Sequence, residues 1–477
     1  MRFGTLLLVL LTCLLTAATL RVLPSGQQPA RSVAQRPNIV FILADDLGYM
    51  DLRCYGNPYN ETPNLDSLAR RGIRFTQAYS ACPVCSPSRA AILTGKHPAR
   101  LHLTNFIGGE RVDTTSSLLP ANWRRYLPAS ETTLAELLKQ QGYVTGMVGK
   151  WHLGAAGDSL TPTAQGFDYE RQISKNGLDY YNYSIVSNNR TVFEDTGKDY
   201  LTDKLTDYAL EFIDQNKGKQ QPLFLYLAYS APHILLVPRA DKLSKFLYRY
   251  PRFNGRYNPS YAAMLLSLDE GVGRVLQKLN DAGLADNTLV VFTSDNGGLG
   301  MPEAGPAPTD NSPLRKWKGH VYEGGIRVPL IMAGSGITAQ NATCDRYLTG
   351  TDFVPTFMEM LQTNWKPTVP DGKSFYALLG NPAAAFQRGP VFWHYPHFSN
   401  QASRPSAAIL DGDYKLVEHY ETGRTELYNL GNDLSESTDL AQQQPQKARE
   451  LLGKLTKWRA EVKANMPRPN PAYAAKR

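Results

Sequence analysis

The sequence predicts an α/β fold built on a large, mainly parallel sheet, joined to a smaller α+β domain with a short antiparallel sheet. Three observations lead there. Short apolar runs without polar alternation recur, such as Ile39-Val40-Phe41-Ile42-Leu43, and such runs read as strands buried on both faces. Helical patterns alternate with them, the order expected of a sheet covered by helices. Polar clusters follow four of the runs, at Asp45-Asp46, Lys150 with His152, His233, and Asp295-Asn296. In open α/β sheets the edge at the carboxyl ends of the strands is where sites are built.

The elements follow in order. Arg2, a leucine-rich stretch from Leu6 to Leu15 and the small residues Thr16-Ala17-Ala18-Thr19 have the layout of a secretory signal peptide, read over residues 1–22. The alternative is a membrane anchor, for which the stretch is short against the roughly 20 apolar residues of a span. No other segment reads as a span, so no stable membrane insertion is expected, and the protein is expected in the periplasm or outside the cell. The first strand, 39–43, follows Pro37-Asn38. Residues 64–79 and 87–93 are expected to be helical. Residues 132–141 carry Leu134, Leu137 and Leu138 at helical spacing and stop at Gly142. A strand over 144–148 delivers Gly149-Lys150-Trp151-His152, and one over 223–229 ends at Ala231-Pro232-His233. A helix over 261–279 precedes a strand over 288–293, which ends at Ser294-Asp295-Asn296-Gly297-Gly298. Residues 328–332 form another apolar strand. These segments make one domain, 36–388. Beyond it, 390–395, 407–418 and 426–430 read as short antiparallel strands with turns at Asp411-Gly412 and Thr422-Gly423, followed by a helix over 445–464. They make a second domain, 389–477.

Composition narrows the function. The 477 residues are 42% apolar and 20% charged, as in ordinary globular proteins. The net charge of +8 suits a polyanionic partner and equally suits solubility. No dense Lys/Arg run with interleaved aromatics occurs, so nucleic acid is not an expected partner. Five cysteines are too few for a disulfide framework in a chain of this length. Cys82-Pro83-Val84-Cys85 has C-x-x-C spacing, but the second pair of a zinc site and a thioredoxin-like setting are both missing. Asn60, Asn182, Asn189 and Asn341 head glycosylation sequons. They matter in a eukaryotic host, whereas the short leader and the C-terminal texture point to a bacterial one.

The sharpest string is Cys85-Ser86-Pro87-Ser88-Arg89, followed by Ala90-Ala91-Ile92-Leu93-Thr94-Gly95. It resembles the C-x-P-S-R signature of type I sulfatases, members of the alkaline phosphatase superfamily. The resemblance runs from Pro37 to about Met466 and implies an alkaline-phosphatase-like sandwich. It also implies that a formylglycine-generating enzyme oxidises Cys85 to formylglycine (3-oxoalanine) before folding. The chemistry explains the modification. A Ser or Cys that took up sulfate would be left as a stable ester. A hydrated aldehyde has two hydroxyls on one carbon: one attacks sulfur and expels the alcohol, the other collapses to the aldehyde and ejects sulfate. Cys85 also opens a predicted helix, where backbone N–H groups and the dipole favour an anion.

Asp45, Asp46, Asp295 and Asn296 offer hard oxygen ligands, which suit Ca²⁺ or Mg²⁺ better than Zn²⁺ or Cu²⁺. The resemblance makes these four the cation ligands, together with the modified Cys85. It implies that Lys150 and Lys318 contact the sulfate and that Arg89 holds the hydrate. His152 would take the hydrate's proton, and His233 would stand near the leaving oxygen as general acid. Lys316 is the alternative to Lys318, which has the family's spacing to Glu323-Gly324-Gly325. The C-terminal strings, Trp393-His394-Tyr395-Pro396-His397 among them, are similar to bacterial carbohydrate sulfatases, including those for sulfated galactose or N-acetylgalactosamine. His102, Asn105, Trp393, His394 and His397 are the candidate sugar contacts; packing between domains is the alternative for each. The expected substrate is a sulfated oligo- or polysaccharide. Two other functions stay open: formylglycine-dependent hydrolysis of phosphodiesters or phosphonate monoesters, and an inactive polysaccharide-binding relative.

Overall fold

The computed structural model of the chain describes residues 36–109, 115–154, 160–174 and 179–474. The leader read at residues 1–22 lies outside them. A ten-stranded sheet organises the chain. Its strands are β1 (Asn38–Ala44), β2 (Gly72–Phe75), β3 (Val144–Gly149), β4 (Tyr169–Ile173), β5 (Ser184–Ser187), β6 (Arg190–Glu194), β7 (Leu223–Ala228), β8 (Thr288–Ser294), β9 (Leu330–Gly334) and β10 (Ala342–Cys344). Their order is β10-β2-β9-β8-β1-β7-β3-β4-β5-β6. The central strands β8, β1, β7, β3 and β4 are parallel. Strand β9 runs antiparallel to both its neighbours, as does β5. The sheet is therefore mixed, with its parallel part at the centre.

The apolar runs explain why those strands are central. Every residue of β1, β7 and β8 is buried. Along β1, Ile39, Phe41 and Leu43 point into one core and Val40, Ile42 and Ala44 into the other, the two-residue period of a strand. The helices are α1 (Pro63–Arg70), α2 (Cys85–Thr94), α3 (Leu134–Gln140), α4 (Leu201–Asn216), α5 (Ala240–Arg249), α6 (Pro259–Asp281), α7 (Phe353–Met360) and α8 (Pro445–Glu461), besides shorter turns. Helices α2, α3 and α7 cover the first core, and α1, α4 and α6 the second. Among the described residues no helix is long and apolar enough to cross a membrane.

One element departs from expectation. Residues 64–79 are not one helix: α1 stops at Arg70, and β2 begins at Gly72. Ile73 and Phe75 alternate into the core and pair with Met332 and Leu330 of β9. Strand pairing wins there over helical spacing.

The second sheet is antiparallel: β11 (Val391–Tyr395), β12 (Ser406–Asp411), β13 (Tyr414–His419) and β14 (Thr425–Asn429). One face packs on Tyr79, Val84, Val321 and Ile326. The other lies under α8, against Leu451, Leu455 and Trp458. Helix α3 shows how local sequence sets an element. Thr133 Oγ1 accepts from Glu136 N at 3.2 Å and Glu136 Oε2 accepts from Thr133 N at 2.7 Å, a reciprocal cap. Thr133 also donates to the Gln165 carbonyl at 2.7 Å. Thr133→Ala is expected to lower stability by about 1–2 kcal/mol, read as a lower midpoint in urea unfolding; an unchanged midpoint would show that the cap adds nothing.

Candidate active site

Parallel register builds the site. Ala44 and Ser294 lie opposite each other at the ends of β1 and β8, so Asp45-Asp46 and Asp295-Asn296 leave the sheet side by side. Asp46 N donates to Asp295 Oδ1 at 3.2 Å, and Asn296 Nδ2 donates to Asp46 Oδ1 at 2.8 Å. Strand β3 ends at Gly149, whose φ of +110° brings it against the Ala228 carbonyl of β7, where a side chain would collide. Lys150 follows, and its Nζ lies 2.5 Å from Asp45 Oδ2. Arg89, one helical turn into α2, pairs with Asp295 Oδ2 at 2.7 Å and donates to the Lys150 carbonyl at 2.8 Å. Lys318 Nζ sits 2.8 Å from Asp46 Oδ2 and 3.3 Å from His233 Nε2. Cys85, at the N-terminus of α2, has its sulfur within 4.8 Å of oxygens of Asp45 and Asp295.

All these groups are buried or nearly so, so their charges act strongly on one another. Burial opposes charge on Asp45, but Lys150, His233, Arg89 and Lys318 overcome it and hold its carboxyl well below the usual range. Burial, with Asp45 beside it, pushes the Asp295 carboxyl up. Burial also pushes the Cys85 thiol up, against the pull of Lys150 and Lys318. Burial thus disfavours the thiolate of an unmodified Cys85, the form in which a thiol is nucleophilic. The donor set fits a hard cation. Asp45 Oδ1 and Asn296 Oδ1 are buried acceptors with no hydrogen-bond partner, which is costly unless something takes their lone pairs. The three carboxylates are balanced by three side-chain cations, so a divalent ion would leave the site positive, the sign a sulfate needs.

The histidines are arranged for proton transfer. His152 has a left-handed backbone, φ +58°. Its Nε2 meets the Ile107 carbonyl at 2.9 Å, so that nitrogen carries the proton, and the buried Nδ1 has no partner. Burial, then Lys150, holds its pKa well below the ordinary imidazole value. His233 Nδ1 donates to the Ile234 carbonyl, leaving Nε2 to accept from Lys318 Nζ at 3.3 Å, with Asp46 Oδ2 3.5 Å away. Burial lowers its pKa as well, although Asp46 works the other way.

The sugar-contact candidates fare differently. Trp393 is fully buried and donates to the Ser80 carbonyl at 2.8 Å. His394, its neighbour on β11, points to the opposite face, tied to Tyr420 Oη at 2.6 Å and the Asn465 carbonyl at 2.9 Å. Strand alternation forbids the pair from sharing a sugar. His397 is buried and bonded to Thr104 Oγ1 at 2.8 Å. Asn105 is buried and accepts from Tyr395 Oη at 2.9 Å. Trp393 thus lies at the join with the first domain, and His394 on the face away from it. His102, on the turn after Pro98–Leu101, keeps an Nδ1 without a partner.

A buried charge network that the sequence did not reveal supports the Lys318 segment. Glu323 and Glu436 both hold Lys415 of β13, at 2.9 and 2.8 Å, with all three side chains fully buried. Glu323 also takes Arg327 at 3.1 Å and the Tyr79 hydroxyl at 3.0 Å. Burial opposes the charge of Glu323, and Lys415 and then Arg327 overcome it, while burial, with Glu323 adding to it, pushes Glu436 up. Trp317, next to Lys318, donates to the Gln401 carbonyl at 3.0 Å. The small sheet thereby holds the segment from Arg315 to Arg327 from behind. Glu323 stood in a visible string, but Lys415 and Glu436 sit in unremarkable surroundings.

Comparison with known proteins agrees with this geometry. The sulfatase family model matches residues 37–363, and that of the N-sulphoglucosamine sulphohydrolase C-terminal region matches residues 316–463. A sulfatase of Formosa agariphila is 32% identical, over 93% of this chain and 92% of its own. The N-acetylgalactosamine-6-sulfatase of Rattus norvegicus is 36% identical, over 63% of this chain and 57% of its own. The crystal structure of Ps i-CgsB in complex with k-i-k-neocarrahexaose superposes with a TM-score of 0.74 at 28% identity, over 89% of this chain and 93% of that one. The chain belongs to the sulfatase family and is a sulfuric ester hydrolase of alkaline-phosphatase-like fold.

Removing Lys415 alone leaves two buried carboxylates facing each other. Lys415→Met is expected to cost about 3–5 kcal/mol in urea unfolding, and adding Glu436→Gln should recover most of it, because Glu323 keeps Arg327. A double variant no more stable than the single one would contradict this account of the network.

Proposed function

We propose that the chain hydrolyses sulfate monoesters on a carbohydrate, namely sulfated galactose or N-acetylgalactosamine units of a polysaccharide. Its nucleophile is formylglycine made from Cys85. The observation that carries the reading is the setting of Cys85: a buried thiol at a helix N-terminus, within 4.8 Å of two carboxylates and between two lysines that bear on its charge. The relatives support the carbohydrate: one is named for N-acetylgalactosamine 6-sulfate and one solved structure holds a neocarrahexaose.

Asp45, Asp46, Asp295 and Asn296 would hold Ca²⁺ or Mg²⁺, which supplies positive charge to polarise a sulfate oxygen and favour ionisation of the nucleophile. The hydrated aldehyde of residue 85 supplies a nucleophile with a built-in release step. The chain's own residues do the rest. Lys150 and Lys318 place two ammonium groups around the sulfate and offset the charge that builds on its oxygens. Arg89 pairs with Asp295, opposing the burial that pushes its carboxyl up, and ties the first turn of α2 to the Lys150 carbonyl. His152 has a free Nδ1 lone pair with which to accept the hydrate's proton. His233 is the general acid. The negative charge of an arriving sulfate ester favours a proton on its Nε2, which then passes to the leaving oxygen. The reading places the enzyme in the periplasm or outside the cell, on the leader at residues 1–22.

The test is sulfate release by protein co-expressed with a formylglycine-generating enzyme. The panel is galactose and N-acetylgalactosamine sulfated at O4 or O6, glucosamine sulfated at O6, sulfated algal oligosaccharides and a phosphonate monoester. Release from a galactose-type member is expected. Silence from all the sulfated sugars, with the residue 85 peptide confirmed as aldehyde by mass spectrometry, would sink the carbohydrate reading, and turnover of the phosphonate alone would replace it.

Chelation is expected to abolish turnover without lowering the thermal midpoint enough to unfold the chain at assay temperature, and added Ca²⁺ or Mg²⁺ should restore it. Rates unchanged after thorough chelation would remove Asp45, Asp46, Asp295 and Asn296 from the role of ligands.

A further inference from the structure

At the β10–β2 edge of the large sheet, a surface cavity of about 190 Å³ is bordered by Arg53, Arg70, Arg74, Asp66, Asn341 and Thr343. None of these belongs to the candidate active site. Arg74 is held in place: its guanidinium lies 5.7 Å over the Tyr55 ring, Nη2 donates to Thr343 Oγ1 at 3.3 Å, and Nη1 donates to the Cys54 carbonyl. Arg53 and Arg70 are exposed, and neither side chain pairs with any described residue.

The charges do not cancel. Among the described residues Asp66 is the only carboxylate bordering the cavity, and its Oδ1 already accepts from Cys54 N at 3.0 Å and Thr62 Oγ1 at 3.1 Å. Cys54 adds no charge, since burial, with Asp66 beside it, pushes its thiol up to about 12. Helix α1 ends at Arg70, and its negative end offsets only part of one charge. Three guanidiniums around one concavity repel one another until a ligand of opposite sign arrives. Arginine's planar fork matches the oxygens of a tetrahedral oxyanion.

We propose that this cavity is a second oxyanion site, which takes a sulfate group other than the one hydrolysed. The inference rests on the reading above for the polysaccharide: such a chain carries several sulfates, and this site grips one of them while another is cleaved. Free inorganic sulfate offers the same chemistry, so the test separates the two sources.

The experiment uses the full chain with Cys85→Ala, so that binding is read without turnover and independently of whether the chain hydrolyses sulfate esters. Chondroitin 6-sulfate hexasaccharide, its desulfated counterpart and inorganic sulfate are titrated by calorimetry, with and without Arg53→Gln and Arg70→Gln together. Both side chains are exposed, so the unfolding midpoint should stay put. Hexasaccharide affinity is expected to fall about tenfold in the double variant, with the desulfated sugar unaffected. On the Cys85 background, KM for the polymer should rise while turnover of a monosaccharide sulfate is unchanged. A loss confined to inorganic sulfate would keep the oxyanion site and assign it to the free ion. Equal affinities of the two proteins for both the hexasaccharide and inorganic sulfate would overturn the proposal.

Discussion

The site depends on one arrangement of buried charge: three carboxylates from two adjacent strand ends facing one guanidinium and two ammonium groups. Three carboxylates alone in so dry a place would each forfeit hydration with nothing to offset it. Arg89, Lys150 and Lys318 offset that loss, and the carboxylates in turn hold those cations in place. Every catalytic role assigned above uses a member of this set or a group touching it. The parallel register of β1 against β8 sets the spacing of the acids, and the strand order brings Lys150 and His233 to the same edge.

The small sheet has a second task besides closing the fold. It presents Lys415 to Glu323, at the base of the segment that carries Lys318. Lys318 thus reaches Asp46 from a loop tied down at several points in another sheet. Trp393 contributes by filling the space between the two layers, where its indole satisfies the Ser80 carbonyl. Trp393 and His394 of β11 are each hydrogen-bonded on the face that strand alternation gives them.

Much of this was legible in the residues. The apolar runs of β1, β7 and β8 announced central strands because nothing polar interrupts them, and the sheet places all three in its middle. The strings around Cys85, Asp45, Lys150, His233, Asp295 and Lys318 named the residues that converge, because all but Lys318, which arrives on a loop, follow a strand or open a helix at one edge of the sheet. Short or one-sided elements were not legible. Strand β2 hides behind α1 because four residues carry too little periodicity to outweigh the helical spacing before them, and only pairing with β9 decides it.

What the sequence by itself determined was the set of chemically committed groups and the type of layer that carries them, since both rest on local pattern: runs, caps and motif spacing. The tertiary structure alone decided which side chains have no partner. The unpaired Nδ1 of His152, the orphan oxygens of Asp45 and Asn296, the Glu323–Lys415–Glu436 triad and the uncompensated arginines around Thr343 are properties of distance between segments far apart in the chain. Burial and pairing are long-range quantities. No local pattern encodes whether a polar atom, once desolvated, finds a neighbour to satisfy it.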